Sequence, residues 1–281
     1  MSTIQLTLFG EAPGLRIPER AGRAQVAEKR VKSILAKGTG VLAGVDYTLN
    51  PYVGCQFACS YCYAAFFQPP GDRRESWGQW VEVKANALEL LRRERGIAGA
   101  SIMVGSVTDP YQPIERETRL TRSLLEHLAT VSPQPKIHIQ TRSPFVVDDL
   151  DVLLRFERLT VGMSITTDDE MVRKAFEPQC ASIGRRMEAV EQMSKAGIRT
   201  CISISPMLPV TDPERFARQL KELGAQRFSA GYFHENRGDF ASGTRPGAWA
   251  LARAHGWPRE AYDDTVRRMK AVIPELKSWG R

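Results

Sequence analysis

The chain has 281 residues, 42% of them hydrophobic and 25% charged, which excludes a disordered or low-complexity chain and suffices for one large core or two small ones. No run approaches the ~18 consecutive apolar residues of a membrane span, and Met1 to Gly10 lacks a basic segment followed by an apolar run and a cleavage site; the expected location is cytoplasmic, with no membrane partner. The net charge of +7 suits a polyanion such as DNA or RNA without establishing one, because clustered Lys and Arg bind phosphates by releasing counterions.

In chain order, residues 1–45 are expected to form a basic N-terminal arm. Gly, Pro and the cations Arg16, Arg20, Arg23, Lys29, Arg30, Lys32 and Lys37 predominate from residue 11 onward, with one helical stretch around Ala24 to Leu35. From Tyr47, short β-branched runs alternate with longer amphipathic ones, the pattern of βα units on a parallel sheet. The predicted strands are Tyr47–Asn50, Ser101–Gly105, Lys136–Thr141, Val161–Thr166, Thr200–Ser205 and Gln226–Phe233, and their near-continuous apolar character predicts cover on both faces. The predicted helices are Asn86–Arg95, Glu115–Thr130, Val147–Glu157, Ser182–Ala196 and Pro213–Leu223, with Asn86 and Ser182 as N-caps and Gly197 and Gly224 as C-terminal stops. Right-handed crossovers would wind residues 46–238 into a full or partial α/β barrel with its site at the carboxyl ends of the strands. Residues 239–281 are expected as a helical extension over the barrel's open side, with an Arg- and Trp-containing segment from Ala241 to Trp257 and a last helix from Arg259 to Leu276.

Of five cysteines, Cys55, Cys59 and Cys62 crowd into eight residues just after the first predicted strand. That pattern suits metal ligation better than a disulfide framework. A 4Fe-4S cube normally takes four thiolates, so three with no obvious fourth leave one iron open to an exogenous ligand. A zinc site closed by a distant Cys or His, and a dithiol redox site at Cys59-Ser-Tyr-Cys62, remain as alternatives on spacing alone.

The Cys-x3-Cys-x2-Cys loop with Tyr61 before its last cysteine resembles the signature of the radical S-adenosylmethionine (SAM) superfamily. The flanking phrases Asn50-Pro-Tyr-x-Gly-Cys, Cys59-x-Tyr-Cys-Tyr-Ala and Val107-Thr-Asp-Pro-Tyr-Gln-Pro-x-Glu115, then Thr141-Arg-Ser, Ser164-Ile-Thr, Phe176-Glu-Pro and Arg186, resemble its spore photoproduct lyase-like branch, often labelled DNA repair photolyases. The resemblance implies a partial (β/α)6 TIM-like barrel with a 4Fe-4S cluster at its mouth, held by Cys55, Cys59 and Cys62. It also implies SAM on the unique iron, reductive cleavage to methionine and a 5'-deoxyadenosyl radical, and hydrogen abstraction from a substrate.

By the same resemblance Tyr61 would offer its backbone to the adenine edge, Ser106 and Thr108 would bind the methionyl part, Arg142 would take the place of a lysine that meets the cofactor carboxylate, and Ser164 would hydrogen-bond the cofactor. Each has a plainer reading: a packed tyrosine, loop caps, and a strand-end hydroxyl satisfied by backbone. Glu177 and Arg186 are expected as a buried pair, near the cofactor or merely structural.

One departure matters. The lyase returns a hydrogen atom to its product radical from a cysteine at the place held here by Ser106, whose O–H bond is far stronger than a thiol S–H. Tyr63 and Cys180 are the candidate replacements for that catalytic relay, whereas Cys201 is read as a structural strand residue. Trp77, Trp80, Trp249 and Trp257, with the basic arm, would offer a stacking surface for nucleic acid. The expected partners are an external electron donor of flavodoxin or ferredoxin type and DNA or RNA. The alternatives are radical modification of a peptide or small metabolite, and a non-enzymatic zinc- or Fe-S-containing nucleic-acid-binding protein.

Overall fold

The computed structural model describes residues 15–234 and 243–279. Its strands, in chain order, are β1 (Arg20–Ala21), β2 (Ala24–Lys29), β3 (Leu35–Lys37), β4 (Tyr47–Leu49), β5 (Tyr52–Val53), β6 (Trp80–Lys84), β7 (Ser101–Val104), β8 (Lys136–Thr141), β9 (Leu159–Ser164), β10 (Thr200–Ile204), β11 (Arg227–Gly231) and β12 (Lys277–Trp279). The larger sheet runs β3-β4-β7-β8-β9-β10-β11-β12, parallel from β4 to β12 with antiparallel β3 at the edge. Every predicted strand is there, and β4, β7, β8, β9, β10 and β11 form the six parallel strands of a partial (β/α)6 barrel.

The strands differ from expectation in their faces. Ile102, Val104, Ile137, Ile139, Val161, Met163, Ile202, Ile204, Phe228 and Ala230 are buried under the helices, but the alternate residues Met103, His138, Gln140, Cys201, Ser203 and Ser229 are only half-buried. With the period of two residues fixed by the pleat, one face of β7, β8 and β10 packs on helices while the other is only half-covered, whereas Val161 to Ser164 of β9 are buried on both faces. The expected cover on both faces thus holds for β9 and is corrected to cover on one face for β7, β8 and β10.

Ser182 caps the helix Ile183–Lys195, its hydroxyl accepting from the Arg185 amide at 3.4 Å, and Gly197 (φ +87°) and Gly224 (φ +77°) take the left-handed turns that end helices. Asn86 precedes the helix Ala87–Arg93 but does not cap it with its side chain; the amide instead pairs with both backbone groups of Val31, at 2.9 and 2.8 Å, pinning the N-terminal segment. The segment expected as one helix from Glu115 to Thr130 is broken by Arg119 at φ +50° into Glu115–Thr118 and Leu120–Leu128. That expected from Val147 to Glu157 is a 3-10 turn, Pro144–Asp149, followed by a single helical turn, Leu150–Leu153.

The helical stretch expected near Ala24 is strand β2, which pairs in parallel with β6 in a small sheet ordered β1-β2-β6-β5. Ala-Gln-Val-Ala-Glu-Lys favours helix locally, but the free edge of β6 supplies a hydrogen-bond ladder that outweighs a preference of a few tenths of a kcal/mol per residue. The C-terminal part holds helices Pro246–Ala254 and Arg259–Val272. The second packs on helix Pro213–Glu222 and leads to β12, so it extends the outer helical layer and the sheet where cover for the open side was expected. The expected boundary at 238/239 and Ala241 lie outside the described residues.

Glu115, buried at the break, accepts the amides of Thr121 at 2.8 Å and Arg122 at 3.1 Å and the Tyr52 hydroxyl. Burial dominates and pushes its carboxyl up to about 7 from 4.5. The folded state therefore holds its proton more tightly than the unfolded one, so this contribution to stability is whole below pH ~4.5 and declines as pH rises through 7. Denaturant unfolding at pH 5 and pH 8 should show the wild type losing about 2 to 3 kcal/mol more than Glu115→Gln over that interval; equal losses would show that Glu115 does not titrate there.

Candidate active site

The cluster loop leaves β4 and runs through the short β5. Gly54, at φ +85°, lies so close to Trp80 that a Cβ would fall 2.8 Å from its ring, which ties the loop to the small sheet. Cys55 and Cys59 are buried and Cys62 is half-buried. Successive turns hold them, with the Ala58 amide donating to the Cys55 carbonyl at 3.4 Å and the Cys62 amide to the Cys59 carbonyl at 3.2 Å; Ala58 itself takes φ +54°. Among the described residues no group of His, Cys, Asp or Glu side chains converges on the position of a single ion. A cube asks for a different arrangement, since each thiolate takes its own iron. Three thiols on one tightly turned loop, close enough for Cys59 and Cys62 each to raise the Cys55 thiol after burial has done so, are a donor set that fits such a cube.

The loop is braced by buried amides and hydroxyls. Gln112 Oε1 accepts the Gln56 amide at 2.8 Å, Gln56 Oε1 accepts the Ile114 amide at 2.7 Å, and Gln56 Nε2 donates to the Ala21 carbonyl at 2.9 Å. Thr108 donates to the Gly54 carbonyl at 2.6 Å and receives Gln112 Nε2 at 2.9 Å. Asn50 holds the loop after β7, donating to Ser106 Oγ at 3.0 Å and accepting the Val107 amide at 3.0 Å. Both hydroxyls expected at the methionyl part are thus engaged within the protein, where they fix the distance between the cluster loop and the loop after β7.

Arg142 follows β8. Asp109 accepts its backbone amide at 2.8 Å, the Thr141 hydroxyl at 2.6 Å and the Tyr111 amide at 2.9 Å, although burial still leaves the Asp109 carboxyl raised. Arg142 Nη1 donates to the Tyr61 hydroxyl oxygen at 2.5 Å and to Glu177 Oε1 at 3.0 Å, and Nη2 makes no hydrogen bond among the described residues. Glu177 Oε1 also accepts from the Tyr61 hydroxyl and, at 2.9 Å, from Thr166. Its Oε2 lies 2.6 Å from Arg186 Nη2, with both side chains fully buried. Burial alone would raise Glu177, but Arg186 and Arg142 overcome it and hold the carboxyl at about 2. Arg186 further donates to the carbonyls of Ala181 at 3.0 Å and Ser164 at 3.2 Å, and Ser164 Oγ accepts Gln140 Nε2 at 3.0 Å.

Tyr61, Arg142, Ser164, Glu177 and Arg186 are thereby brought into one network at the carboxyl ends of β8 and β9. Tyr63 is 39% exposed, at the rim, with its hydroxyl donating to the Ser106 carbonyl. Cys180 is buried, its sulfur 3.8 Å from that of Cys59. Asp109, Thr166, Gln56 and Gln112 are the residues that sequence reasoning left without a role. Three of them stand inside the quoted motifs, where a polar side chain destined for burial is the available signal.

The expected tryptophan surface is reduced to Trp77 and half-buried Trp80, which line cavities beside Arg20 and Arg23. Trp77 and Trp257 are buried, Trp257 donates to the Met207 carbonyl at 3.0 Å, Trp80 donates to the Arg73 carbonyl at 2.9 Å, and Trp249 packs on Tyr232 and Phe233. These rings anchor segments because their apolar area is worth more inside than on the surface.

Residues 49–229, which span the barrel and every residue of this network, match the Radical SAM superfamily. The chain belongs to that superfamily. Its members are enzymes built around a 4Fe-4S cluster and SAM. A protein of Methanocaldococcus jannaschii is 34% identical over 168 residues, 60% of this chain and 62% of that protein, so the match spans about three fifths of the relative. Among solved structures, a spore photoproduct lyase variant with dinucleoside spore photoproduct superposes with a TM-score of 0.62 at 15% identity, covering 90% of this chain and 81% of that one. Streptococcus suis SuiB bound to its precursor peptide SuiA gives 0.50 at 16% identity, covering 83% and 48%. At these identities the two structures establish the radical SAM fold.

Proposed function

We propose that this protein cleaves SAM reductively and uses the resulting radical to abstract hydrogen from a nucleic acid or nucleotide lying in the half-open barrel lumen. The observation that carries the reading is the convergence of the three-cysteine loop with Arg142, Ser164 and the Tyr61–Glu177–Arg186 network at one end of the barrel. When bound, the cluster supplies the single electron that splits the sulfonium into methionine and a 5'-deoxyadenosyl radical. The chain's share is orientation and exclusion of water. Arg142 is held by Glu177 through Nη1, which leaves Nη2 for the cofactor carboxylate, so that one planar guanidinium meets two carboxylates. Tyr61 lends its backbone to the adenine while its ring and hydroxyl lock the network. Ser106 and Thr108 set the loop that faces the methionyl part, and Ser164 closes the far side. The basic net charge of +7 favours a phosphate-bearing substrate over a neutral metabolite.

Hydrogen return is assigned to Tyr63, whose hydroxyl touches the Ser106 carbonyl, the place where the lyase carries its cysteine; the tyrosyl radical left behind is returned to tyrosine by one electron from the external donor and one proton. Cys180, against Cys59, is the second candidate.

The test is anaerobic reconstitution, reduction, and assay of 5'-deoxyadenosine with ultraviolet-irradiated DNA, undamaged DNA or a peptide library as separate additions. Stimulation of at least tenfold by one of the DNA samples, with product release lost in Tyr63→Phe, supports the reading; stimulation by peptides alone transfers it to peptide modification, the chemistry that the SuiB likeness brings to mind.

A further inference from the structure

Two cavities adjoin on the outer side of the cluster loop. One, of about 420 Å³, is lined by Arg23, Gln56, Ala58, Trp77, Gln79 and Gln179 among others. The second, of about 280 Å³, shares Arg23 and Gln79 and adds Arg20, Gln25, Ser76 and Trp80. Arg20 and Arg23 are the sole charged residues lining either cavity. Both are exposed, and neither enters an ion pair among the described residues, unlike Lys29, Arg30 and Arg73 nearby, which meet Glu82 or Glu89.

The cavity floor is made by the cluster loop itself. Gln56 and Ala58 are two of the three residues between the first two cysteines, and Gln179 directly precedes Cys180. Two of the three cluster cysteines are buried, Cys55 at 7% exposed and Cys59 at 4%, while Cys62 is half-buried. Gln56 and Ala58, which line the cavity, are the chain neighbours of Cys55 and Cys59. The loop wall is closely packed: a Cβ added at Gly78 would fall 2.3 Å from that of Ala58. The wall also contains Trp77, whose buried indole N–H finds no acceptor among the described residues.

We propose that this Arg20–Arg23 face is where a small acidic electron-transfer protein docks to reduce the cluster. The proposal rests on the radical SAM reading above. Electron transfer weakens steeply with distance, so the donor must come close to the cluster loop, and cavities whose only lining charges are arginines steer an acidic partner there. In the step, one electron leaves the donor, which is oxidised by one electron, and enters the group held by Cys55, Cys59 and Cys62, which is reduced by one. No bond or proton need move. A nucleic acid is the other polyanion that arginines attract, but it would have to reach the lumen, and these arginines lie on the outer side of the cluster loop.

The experiment uses the full chain with its cluster reconstituted anaerobically and follows bleaching of the visible band by stopped flow. The reductants are a fully reduced acidic flavodoxin and, separately, the methyl viologen radical, a small cation that needs no docking surface. Arg20→Glu/Arg23→Glu is expected to slow reduction by flavodoxin at least tenfold at low ionic strength, with the deficit shrinking as salt is added, while the viologen rate holds or rises. Arg20→Lys/Arg23→Lys should restore the flavodoxin rate. Equal flavodoxin rates in wild type and the charge-reversed variant overturn the proposal, and so does a variant whose oligonucleotide affinity falls while its flavodoxin rate does not. A wild-type chromophore that viologen cannot reduce overturns the underlying cluster reading as well, which separates the two failures.

Discussion

Replacing Cys55, Cys59 or Cys62 singly by alanine is expected to remove the brown chromophore and to lower 5'-deoxyadenosine formation at least a hundredfold, to background. A cube short of one protein thiolate has lost one of only three anchors, and the described residues place no further thiol beside Cys55 or Cys62 to replace it. Cys59 is the instructive position, because Cys180 stands 3.8 Å from its sulfur. If Cys59→Ala keeps part of its iron while Cys55→Ala and Cys62→Ala keep none, Cys180 has entered the ligand set, and Cys59→Ala/Cys180→Ala should then lose the remainder. Iron and sulfide analysis beside the activity assay decides it. Full activity in any of the three single variants would refute the assignment of the cluster to this loop.

Glu177→Ala is expected to destabilise the protein by about 3 to 5 kcal/mol, because it strands Arg186 in a fully buried position without its counter-ion. The cost would come from the uncompensated guanidinium, and not from loss of a favourable contact as such. Glu177→Leu combined with Arg186→Met should therefore recover most of it, leaving Arg142, which is 18% exposed, to find water. Equilibrium unfolding of the three proteins tests this, and a single-variant loss under ~1 kcal/mol would show that the network is not a closed ionic core. The pH window has a definite sign. Glu177 is held at about 2 from an ordinary 4.5, so its contribution is present above pH ~4.5 and is lost as the pH falls toward 2. Acid unfolding of the wild type should be steeper in that interval than that of the doubly substituted protein.

The chain's own pattern was sufficient for the six barrel strands and for the cluster loop, because both are local. A β-branched run bounded by turns reads as a strand wherever its neighbours lie, and three cysteines within eight residues must share one loop. Gly197 and Gly224 likewise ended their helices where expected, since a left-handed turn depends on little beyond the residue that makes it.

What only the tertiary structure decided is everything that depends on a distant partner. Ala24–Lys29 has helix-forming residues yet is a strand, because β6, 55 residues later in the pairing register, offers an unpaired edge. Asn86 has a cap's chemistry but spends it on Val31. The half-open polar lumen arises from a barrel that stops short of closure, which no single strand records. Arg142 and Glu177 stand 35 residues apart, and Cys59 and Cys180 are 121 residues apart. Their juxtaposition follows from strand order and crossover handedness, so residue type marked them as candidates, and only the closing of the sheet made them neighbours.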